Sequence, residues 1–444
     1  MSLQTSRRDF LKTIAITGLG VWVAESAHAQ ESKSPNEKVN FACIGIEGKG
    51  GSDSDDAAKF GNVVAICDVD DSKLDKAIAT RFPKAKRYND YRKMLDEMHK
   101  EIDAVTVSTP DHHHAHAASA AMLLGKHCFC QKPMTHSIYE ARRLGEIAKK
   151  MKVATQMGNQ GTAGPSMRQN AYRVRKGALG TVTEVHVWTN RPIWDQGGPR
   201  NEPKPVPSNL HWDLWLGPAP ERPFADGYHP FSWRGWWDFG TGALGDMACH
   251  TVNLPFMALD LRNPTSVIAT TSGHNHDSYP KSSKIVFEFP ATTVDGRPRP
   301  ALRMTWYDGG NVIDKSLVPA DLLPESGTVP ISGSLIVGDK GKLYTPGDYG
   351  GGGHIIDGVD VGEVTPPQSP GHFEEYVRAC KGGIAATSNF PDYAGPLTET
   401  ILLGNLAVWA DGKKIEWDPK HLKAKNAPEV GLIIRPSYRS GYKV

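Results

Sequence analysis

The sequence predicts an α/β protein with two domains: an N-terminal Rossmann domain on a doubly wound parallel sheet, then a C-terminal α/β domain with an open, mostly antiparallel sheet. Three observations indicate this fold. Apolar runs alternate with helical segments up to residue 160, a glycine cluster follows the first run, and strands outnumber helices beyond residue 160. Strands spaced by helices of about a dozen residues are typical of a parallel sheet with right-handed crossovers. The boundaries we predict are 39–160 for the first domain and 161–444 for the second.

Charge is nearly balanced along the chain, with 51 basic and 49 acidic residues and no long basic run. Proteins that bind nucleic acid or an anionic membrane usually carry a basic surface, so neither partner is expected. After residue 30, no apolar run approaches the roughly 20 residues that span a bilayer. We therefore expect a globular protein with no membrane segment in its mature form.

The first 29 residues have the parts of an export signal. Arg7 and Arg8 lie in the run S-R-R-D-F-L-K, a modestly apolar segment follows over 13–24, and A-H-A at 27–29 provides a cleavage pattern. The arginine pair resembles a twin-arginine signal. That resemblance predicts recognition by the twin-arginine export machinery, cleavage between Ala29 and Gln30, and a periplasmic location. Residues 30–38 then form a polar linker; the alternative for the signal is a terminal amphipathic helix.

A glycine cluster marks the turn between the first predicted strand and the first helix. Gly45, Gly48 and Gly50 follow an apolar run, and a second apolar run ends at Asp68. Strand, glycine turn, helix, strand and then an acid is the order that a dinucleotide site requires. The glycines let the backbone approach a pyrophosphate, the helix N-terminus provides free N–H groups, and the acid accepts the ribose hydroxyls. Lys49, within the turn, is included in this predicted cofactor site.

The match to G-x-G-x-x-G has one exception, because Glu47 occupies the second glycine position. A carboxylate facing phosphate is repulsive, so Gly48 would provide the turn while Glu47 points to solvent. An ordinary turn that binds nothing is the alternative. Asp68 favours NAD over NADP, since a carboxylate there repels a 2′-phosphate, although the nearby Lys73 weakens that inference.

Four motifs together resemble the Gfo/Idh/MocA oxidoreductases. They are Gly45-x-x-Gly48-x-Gly50, Thr109-Pro110-x-x-x-His114, Gly125-Lys126-His127-x-x-x-Gln131-Lys132-Pro133 and Asp246-x-x-x-His250. The resemblance implies an NAD(P)-dependent oxidoreductase of sugar or polyol hydroxyls that assembles as a homo-oligomer, a dimer or tetramer. It also implies that Thr109, Pro110, His114 and Gln131 lie at the cofactor. The family motif is usually E-K-P, so Gln131 removes an acidic partner from Lys132.

Asp246 and His250 are four residues apart in a predicted helix over 245–259, hence on one face, and Asn253 continues that face. Oxidising a secondary alcohol requires a base for the hydroxyl proton, and histidine suits this near neutral pH. By the resemblance, His250 is that base, Asp246 positions the substrate or His250, and Lys132 donates a hydrogen bond to the reacting oxygen. A structural histidine is the alternative.

A substrate site is predicted beyond the carboxyl ends of the strands, where ligands bind in such sheets. Asn159 and Gln160 follow the last predicted strand of the first domain. A cluster of tryptophans and arginines lies in or beside a long loop, where indole faces and guanidinium donors would form a carbohydrate cleft lined by about half of them. Its members are Trp188, Arg191, Trp194, Trp233, Arg234, Trp236 and Trp237. The alternative is that several of the tryptophans are core or subunit contacts. The glycine-rich run 347–353 is expected to be a surface loop.

Four histidines lie close together after the predicted strand that ends at Ser108, at His112, His113, His114 and His116. They are too crowded to converge on one ion, and no cysteine or carboxylate set completes a tetrahedral site. We therefore predict no metal, with His114 packed near the cofactor.

These patterns leave three functions open. The first is an exported oxidoreductase that acts on sugar hydroxyls. Because the periplasm has no free nicotinamide pool, its NAD must not dissociate and must return to its starting redox state within each turnover. The second is an NAD-dependent glycosidase that works through transient 3-keto oxidation, elimination, hydration and re-reduction. The third is a non-catalytic sugar- or nucleotide-binding relative.

Overall fold

The computed structural model describes residues 38–444. The predicted signal and almost all of the predicted linker lie outside that range. Six parallel strands form the first sheet in the order β3-β2-β1-β4-β5-β6. They are β1 (Val39–Ile44), β2 (Gly61–Cys67), β3 (Lys86–Tyr88), β4 (Ala104–Val107), β5 (His127–Cys130) and β6 (Thr155–Met157). The predicted doubly wound sheet is confirmed, and its order reverses beside β1, where such sheets bind ligands.

Five helices connect these strands: α1 (Lys49–Phe60), α2 (Asp71–Thr80), α3 (Tyr91–Met98), α4 (Asp111–Leu123) and α5 (Ile138–Met151). Polar side chains begin several of them. Asp70 accepts a hydrogen bond from the Ser72 N–H at the start of α2, and Ser137 with Glu140 forms a capping box at the start of α5. Each such cap contributes about 1 kcal/mol to helix stability.

The second domain contains a nine-stranded sheet in the order β15-β14-β13-β7-β12-β9-β8-β16-β17. Its strands are β7 (Val182–Trp188), β8 (Ser266–Thr271), β9 (Ser283–Phe289), β12 (Leu302–Tyr307), β13 (Gly333–Gly338), β14 (Lys342–Pro346), β15 (His354–Ile356), β16 (Ile415–Asp418) and β17 (Lys423–Ala424), with a separate hairpin of β10 (Thr292–Val294) and β11 (Arg297–Arg299). Only the β7–β12 pair is parallel among these described strands. The prediction of a mostly antiparallel second sheet is therefore confirmed.

Seven further helices complete the described chain: α6 (Pro165–Arg175), α7 (Trp212–Leu216), α8 (Gly242–Thr251), α9 (Asn253–Leu259), α10 (His372–Cys380), α11 (Gly395–Trp409) and α12 (Gly431–Ile434). The single helix predicted over 245–259 is two helices, α8 and α9. Pro255 explains the break, because it has no N–H to donate to the carbonyl of residue 251.

The two predicted domains share a core across the predicted boundary. In α10, Phe373 and Tyr376 pack against Phe41 and Phe129 of the Rossmann sheet, with 5.1 Å between the ring centroids of Phe129 and Phe373. Each buried aromatic ring contributes about 1.5–3 kcal/mol of hydrophobic stabilisation. A late helix therefore covers one face of the first sheet, which the contiguous division at residue 160 did not anticipate.

Within residues 38–444, no helix combines the length and the apolar character that crossing a bilayer would require.

Candidate active site

A cleft of about 640 Å³ lies at the carboxyl ends of the Rossmann strands and is lined by both domains. Its volume is typical of a small-molecule or cofactor site. Most of the predicted site residues line this cleft: Gly45, Gly48, Lys49, Asp68, Thr109, Pro110, His114, Gln131, Lys132, Gln160, Arg191, Asp246 and His250. Residues that are far apart in the sequence, such as Gly45 and His250, therefore line the same cleft.

The glycine turn provides a backbone surface that a side chain would obstruct. Gly45 has φ +77°, and a Cβ on it would lie 2.5 Å from the Ser108 carbonyl oxygen. Gly48 has φ +58° at the start of α1, and its own Cβ would enter open space. A Cβ on Gly50, beneath the turn, would lie 2.2 Å from the Gly45 oxygen, so Gly50 serves close packing. An open cradle at a helix N-terminus fits a pyrophosphate.

Asp68, directly after β2, binds the backbone of the glycine turn. Its carboxylate accepts hydrogen bonds from the backbone N–H of Ile46 (3.2 Å) and of Asp70 (3.1 Å). Burial raises the pKa of Asp68, and the positive charge of Lys73 opposes that rise. Glu47 pairs with the Lys76 ammonium at 3.6 Å, so its charge has a partner on α2. The donor and acceptor set at this end suits the ribose of a dinucleotide.

Although residue 131 is a glutamine, a carboxylate lies beside it in the first domain, that of Asp53. Gln131 Nε2 donates to Asp53 Oδ2 (2.8 Å), which also accepts from Ser108 Oγ (2.7 Å), while Lys49 pairs with the other carboxylate oxygen. Asp53 lies in α1 and is 1% exposed. The carboxylate that E-K-P would place at position 131 is therefore provided from a different element. The i,i+4 spacing of Lys49 and Asp53 was the available sequence signal.

Exchanging this acid and amide tests that interpretation. Gln131→Glu places a second carboxylate beside buried Asp53, so we expect a loss of about 1–3 kcal/mol in the free energy of unfolding at neutral pH. Adding Asp53→Asn restores one acid and one amide and should recover at least half of that loss. Urea unfolding of both variants and of the Asp53→Asn single variant measures this. A double variant no more stable than Gln131→Glu would contradict the interpretation.

Lys132 finds its partner in the second domain. Its Nζ donates to Asp246 Oδ1 and to the Asp246 carbonyl oxygen, both at 2.8 Å. Arg191 Nε lies 3.2 Å from Asp246 Oδ2 and Arg234 Nε lies 3.0 Å from Oδ1. Burial alone would raise the pKa of Asp246, but the charge of Lys132, and then that of Arg234, holds it well below its usual range. Asp246 is therefore ionised and fixes three cationic side chains.

His250 lies one helical turn after Asp246, buried at the wall of the cleft. Burial, and after it the charge of Lys132, lowers the pKa of His250 well below its usual 6.5. The ring is therefore neutral near pH 7 and is able to accept a proton. Its Nδ1 is buried with no hydrogen-bond partner among the described residues, and Tyr349 packs edge-on with ring centroids 4.9 Å apart.

Tyr349 was missed by the sequence analysis. It lies in the glycine-rich run 347–353, which reaches the cleft rather than only covering the surface. Its carbonyl oxygen approaches Gly161, where a Cβ would lie at 2.9 Å. A single aromatic residue between glycines was the only signal for it.

Five residues predicted to contact substrate lie away from the cleft wall. Asn159 accepts from Ser388 Oγ (2.5 Å), and Asn253 bridges Thr162 (2.8 Å) and Tyr393 (2.6 Å). Both side chains are buried, their amide oxygens are bonded inside the protein and neither lines the cleft, so the expectation that they contact substrate is corrected.

The same correction applies to three of the tryptophans. Trp194 donates to Gln196 (2.8 Å), Trp236 donates to the Gly227 carbonyl (2.7 Å), and Trp237 stacks on Tyr279 with centroids 3.7 Å apart. An indole suits a core as well as a sugar, so composition did not separate the two. Trp233 does line the cleft, and the Arg234 guanidinium lies 4.1 Å from its ring centroid.

The histidines at the start of α4 contact backbone carbonyls. His112 and His113 both reach the Trp215 oxygen, at 3.0 and 2.8 Å, and His114 contacts the oxygens of Pro133 and Thr109, both at 2.8 Å. No group of three or more possible metal ligands occurs in the part of the chain that the structure describes. His114 therefore ties the Thr109–Pro110 turn to the Lys132–Pro133 turn beneath the cleft.

Two family profiles match the chain. Residues 13–159 match the profile described as oxidoreductase family, NAD-binding Rossmann fold, and residues 174–294 match oxidoreductase family, C-terminal alpha/beta domain. Together they span more than half of the sequence. The chain belongs to the Gfo/Idh/MocA oxidoreductase family.

Curated relatives match over shorter segments. A glycosyl hydrolase family 109 protein of Solibacter usitatus is 33% identical over 156 residues, which is 32% of this chain and 36% of that protein. A levoglucosan dehydrogenase of Pseudarthrobacter phenanthrenivorans is 25% identical over 177 residues, which is 40% of this chain and 37% of that protein. An inositol 2-dehydrogenase of Salmonella typhimurium is 30% identical over 112 residues, covering 24% and 33%. The chain thus spans about a third of the length of these relatives.

Solved structures match the fold over most of the chain. The WlbA dehydrogenase from Bordetella pertussis, in complex with NADH and UDP-GlcNAcA, aligns with a TM-score of 0.61 and 16% identity, covering 86% of this chain and 99% of that one. The aldose-aldose oxidoreductase from Caulobacter crescentus aligns with a TM-score of 0.56 and 17% identity, covering 86% and 100%. At these identities the alignments establish the shared architecture.

Proposed function

We propose that this protein is an NAD-dependent oxidoreductase that oxidises a secondary hydroxyl of a sugar or polyol. The observation that carries the proposal is that Lys132, Asp246 and His250 share one cleft with the glycine turn and Asp68. Family membership supports the same activity.

The cofactor end of the cleft suits a nicotinamide dinucleotide. Gly45, Gly48 and the start of α1 would hold its pyrophosphate, and Asp68 would accept its ribose hydroxyls. When bound, this group accepts a hydride and can return it. The Asp68 carboxylate supports NAD rather than NADP, because a 2′-phosphate would meet its charge.

The end of the cleft at Lys132 and His250 provides an acceptor for the hydroxyl proton and a hydrogen-bond donor for the substrate oxygen. Neutral His250 takes the proton as the C–H bond is broken, and the buried position of its ring keeps it available at neutral pH. The Lys132 ammonium, held by Asp246, has one remaining N–H for the substrate oxygen as negative charge develops there. Asp246 positions Lys132 and does not exchange protons itself, because its pKa is too low.

A second candidate is an NAD-dependent glycosidase, favoured by the similarity to the family 109 protein. There the substrate is oxidised at C3, the acidified C2 proton is lost, the aglycone leaves C1, water adds, and the hydride returns to C3. The net reaction is a hydrolysis, because the hydride removed at C3 is returned to C3 and water replaces the aglycone. The same Lys132 and His250 would serve the oxidation step.

One experiment separates these functions. Purified protein is incubated in D2O with a panel of glycosides, free sugars and polyols, and products are followed by NMR. A keto sugar formed together with an equal amount of a reduced second sugar, which takes the hydride back from the retained cofactor, supports the oxidoreductase, and deuterium at C2 of a released sugar supports the glycosidase. No product across the panel, with His250→Ala indistinguishable from wild type, would leave only the non-catalytic relative.

We also propose that the protein is exported by the twin-arginine machinery to the periplasm and retains its NAD throughout turnover. The paired Arg7 and Arg8 support export, and a compartment without free nicotinamide supports retention. Changing both arginines to lysine should keep the full-length chain in the cytoplasm, as followed by cell fractionation. Equal periplasmic yield of the two forms would contradict export by this route. Assembly as a dimer or tetramer, which the family resemblance implies, is tested by light scattering of the purified protein.

A further inference from the structure

Two arginine side chains in the cleft are held by the same carboxylate, that of Asp246. Arg191 and Arg234, called here the arginine pair, each direct Nε to Asp246, one to Oδ2 and the other to Oδ1. Arg191 uses one terminal amino group on the Asn190 side chain. The second amino group of Arg191 and both of Arg234 donate to no other described residue. Because both side chains line the cleft, these N–H groups are available to a ligand.

The charges around Asp246 do not balance. Lys132, Arg191 and Arg234 surround a single carboxylate, and their side chains are only 14%, 19% and 22% exposed. His250 is neutral, so it neither adds to the positive charge nor offsets it. Holding cations out of water without counter-charge is costly, so a ligand that brings negative charge is favoured there. Asp111 also lines the cleft, and one of its carboxylate oxygens has no partner among the described residues, so the three cations exceed the two carboxylates by one. A neutral polyol would leave that excess uncompensated.

The arginine pair is also preorganised. Arg234 lies over the face of Trp233, which restricts the plane of its guanidinium, while its Nε bond to Asp246 restricts its rotation. A guanidinium with free N–H groups and a fixed plane matches the two oxygens of a carboxylate. Little side-chain entropy remains to be lost when such a ligand binds.

The pyrophosphate of the cofactor does not explain these cations. The glycine turn follows β1, whereas Lys132 follows β5, and β4 separates the two strands. Neighbouring strands lie about 4.8 Å apart, so the two positions are roughly 10 Å apart across the sheet. The arginine pair contacts Asp246 at the Lys132 side of the cleft, beyond the reacting position.

We propose that the arginine pair is a carboxylate-binding subsite and that the substrate is an acidic sugar, a uronic acid. This inference rests on the proposed function, since it names the substrate class of the same site. The excess of one positive charge matches a single carboxylate on the substrate. A phosphorylated sugar would bring more charge and a tetrahedral group, and it is the competing outcome of the test.

The test uses matched pairs of sugars on the cofactor-loaded protein. The pairs are glucuronate with glucose, galacturonate with galactose and mannuronate with mannose, and glucose 6-phosphate is added as the phosphate probe. Calorimetry measures binding, and absorbance of the reduced nicotinamide measures oxidation. The variants are Arg191→Gln and Arg234→Gln. Arg200→Gln is the control, because Arg200 is half exposed, pairs with Asp277 and is not on the cleft wall.

We expect at least one uronate to bind about tenfold or more tightly than its parent sugar. Each arginine variant should lower the preference for the uronate over its parent sugar by about 10- to 100-fold. The control should behave as wild type. A disturbed Asp246 would weaken both members of a pair equally, so the ratio between them isolates the subsite.

Three results would overturn the subsite: no uronate preferred over its parent sugar, equal losses for both members of a pair, or tighter binding of glucose 6-phosphate than of any uronate. If the parent sugars are oxidised equally well by the wild-type protein and both arginine variants, and no uronate is preferred, the oxidoreductase function is supported and the subsite is excluded. Uronate binding that depends on the arginine pair, with no nicotinamide reduced, would support the subsite and count against the redox function.

Discussion

Replacing His250 with alanine is expected to lower kcat by about 100- to 10,000-fold while leaving cofactor binding unchanged. The variant removes a buried, neutral imidazole that lies on the cleft wall one helical turn after Asp246, the carboxylate that holds Lys132. Alanine has high helix propensity, so α8 should persist. Steady-state kinetics with the best substrate, together with the cofactor content of the variant, measure the effect.

The pH profile of the wild-type protein gives a second readout of His250. The base must be neutral, and burial followed by the charge of Lys132 lowers its pKa. Activity should therefore persist below pH 6.5 and fall only as the pH drops through that lowered pKa. His421→Ala is the control, since that ring is exposed and bonded only to Asp418. A His250→Ala variant with near wild-type kcat would contradict the assignment of the base.

Replacing Lys132 with methionine is expected to lower kcat by about 100- to 1,000-fold, because the developing negative charge on the substrate oxygen loses its donor. The methionine side chain is similar in length and apolar. Asp246 retains Arg191 and Arg234, so it stays ionised and the fold should persist. The loss should appear in kcat more than in KM, since the interaction strengthens in the transition state.

The same variant should move the pH profile. Lys132 is the second largest cause of the low pKa of His250, so removing its charge should raise that pKa, although burial will keep it below the usual 6.5. The acidic limb of kcat/KM should therefore shift to higher pH in Lys132→Met. Lys150→Met is the control, since Lys150 is exposed on α5 away from the cleft. An unshifted limb would show that the two groups do not interact as the structure indicates.

The sequence was sufficient for those parts of the site that follow from local order. Gly45 and Asp68 come directly after a strand, Lys132 comes two residues after one, and parallel strands bring their carboxyl ends to one edge. The i,i+4 spacing of Asp246 and His250 placed both side chains on one face of α8. Local periodicity thus specified which residues share an edge or a face.

The remaining parts depend on contacts between distant segments. Asp53 replaces the missing acid at position 131 through a contact 78 residues away in sequence, and α10 returns to cover the first sheet. Arg234 lies in a short 3-10 helix within the long loop, and Tyr349 lies in the loop between β14 and β15, where no period predicts the direction of a side chain. Trp194, Trp236 and Trp237 were assigned to the cleft because composition does not distinguish a sugar platform from a core.

The central claim is that a nicotinamide dinucleotide is held firmly between the glycine turn and Lys132. The most direct measurement is to purify the protein from cells that express the full-length chain, without added nucleotide, denature it, and identify what is released by mass spectrometry. The account predicts about one NAD or NADH per chain, surviving extensive dialysis, with little NADP. Protein that releases no nucleotide and shows no affinity for added NAD or NADH would contradict it.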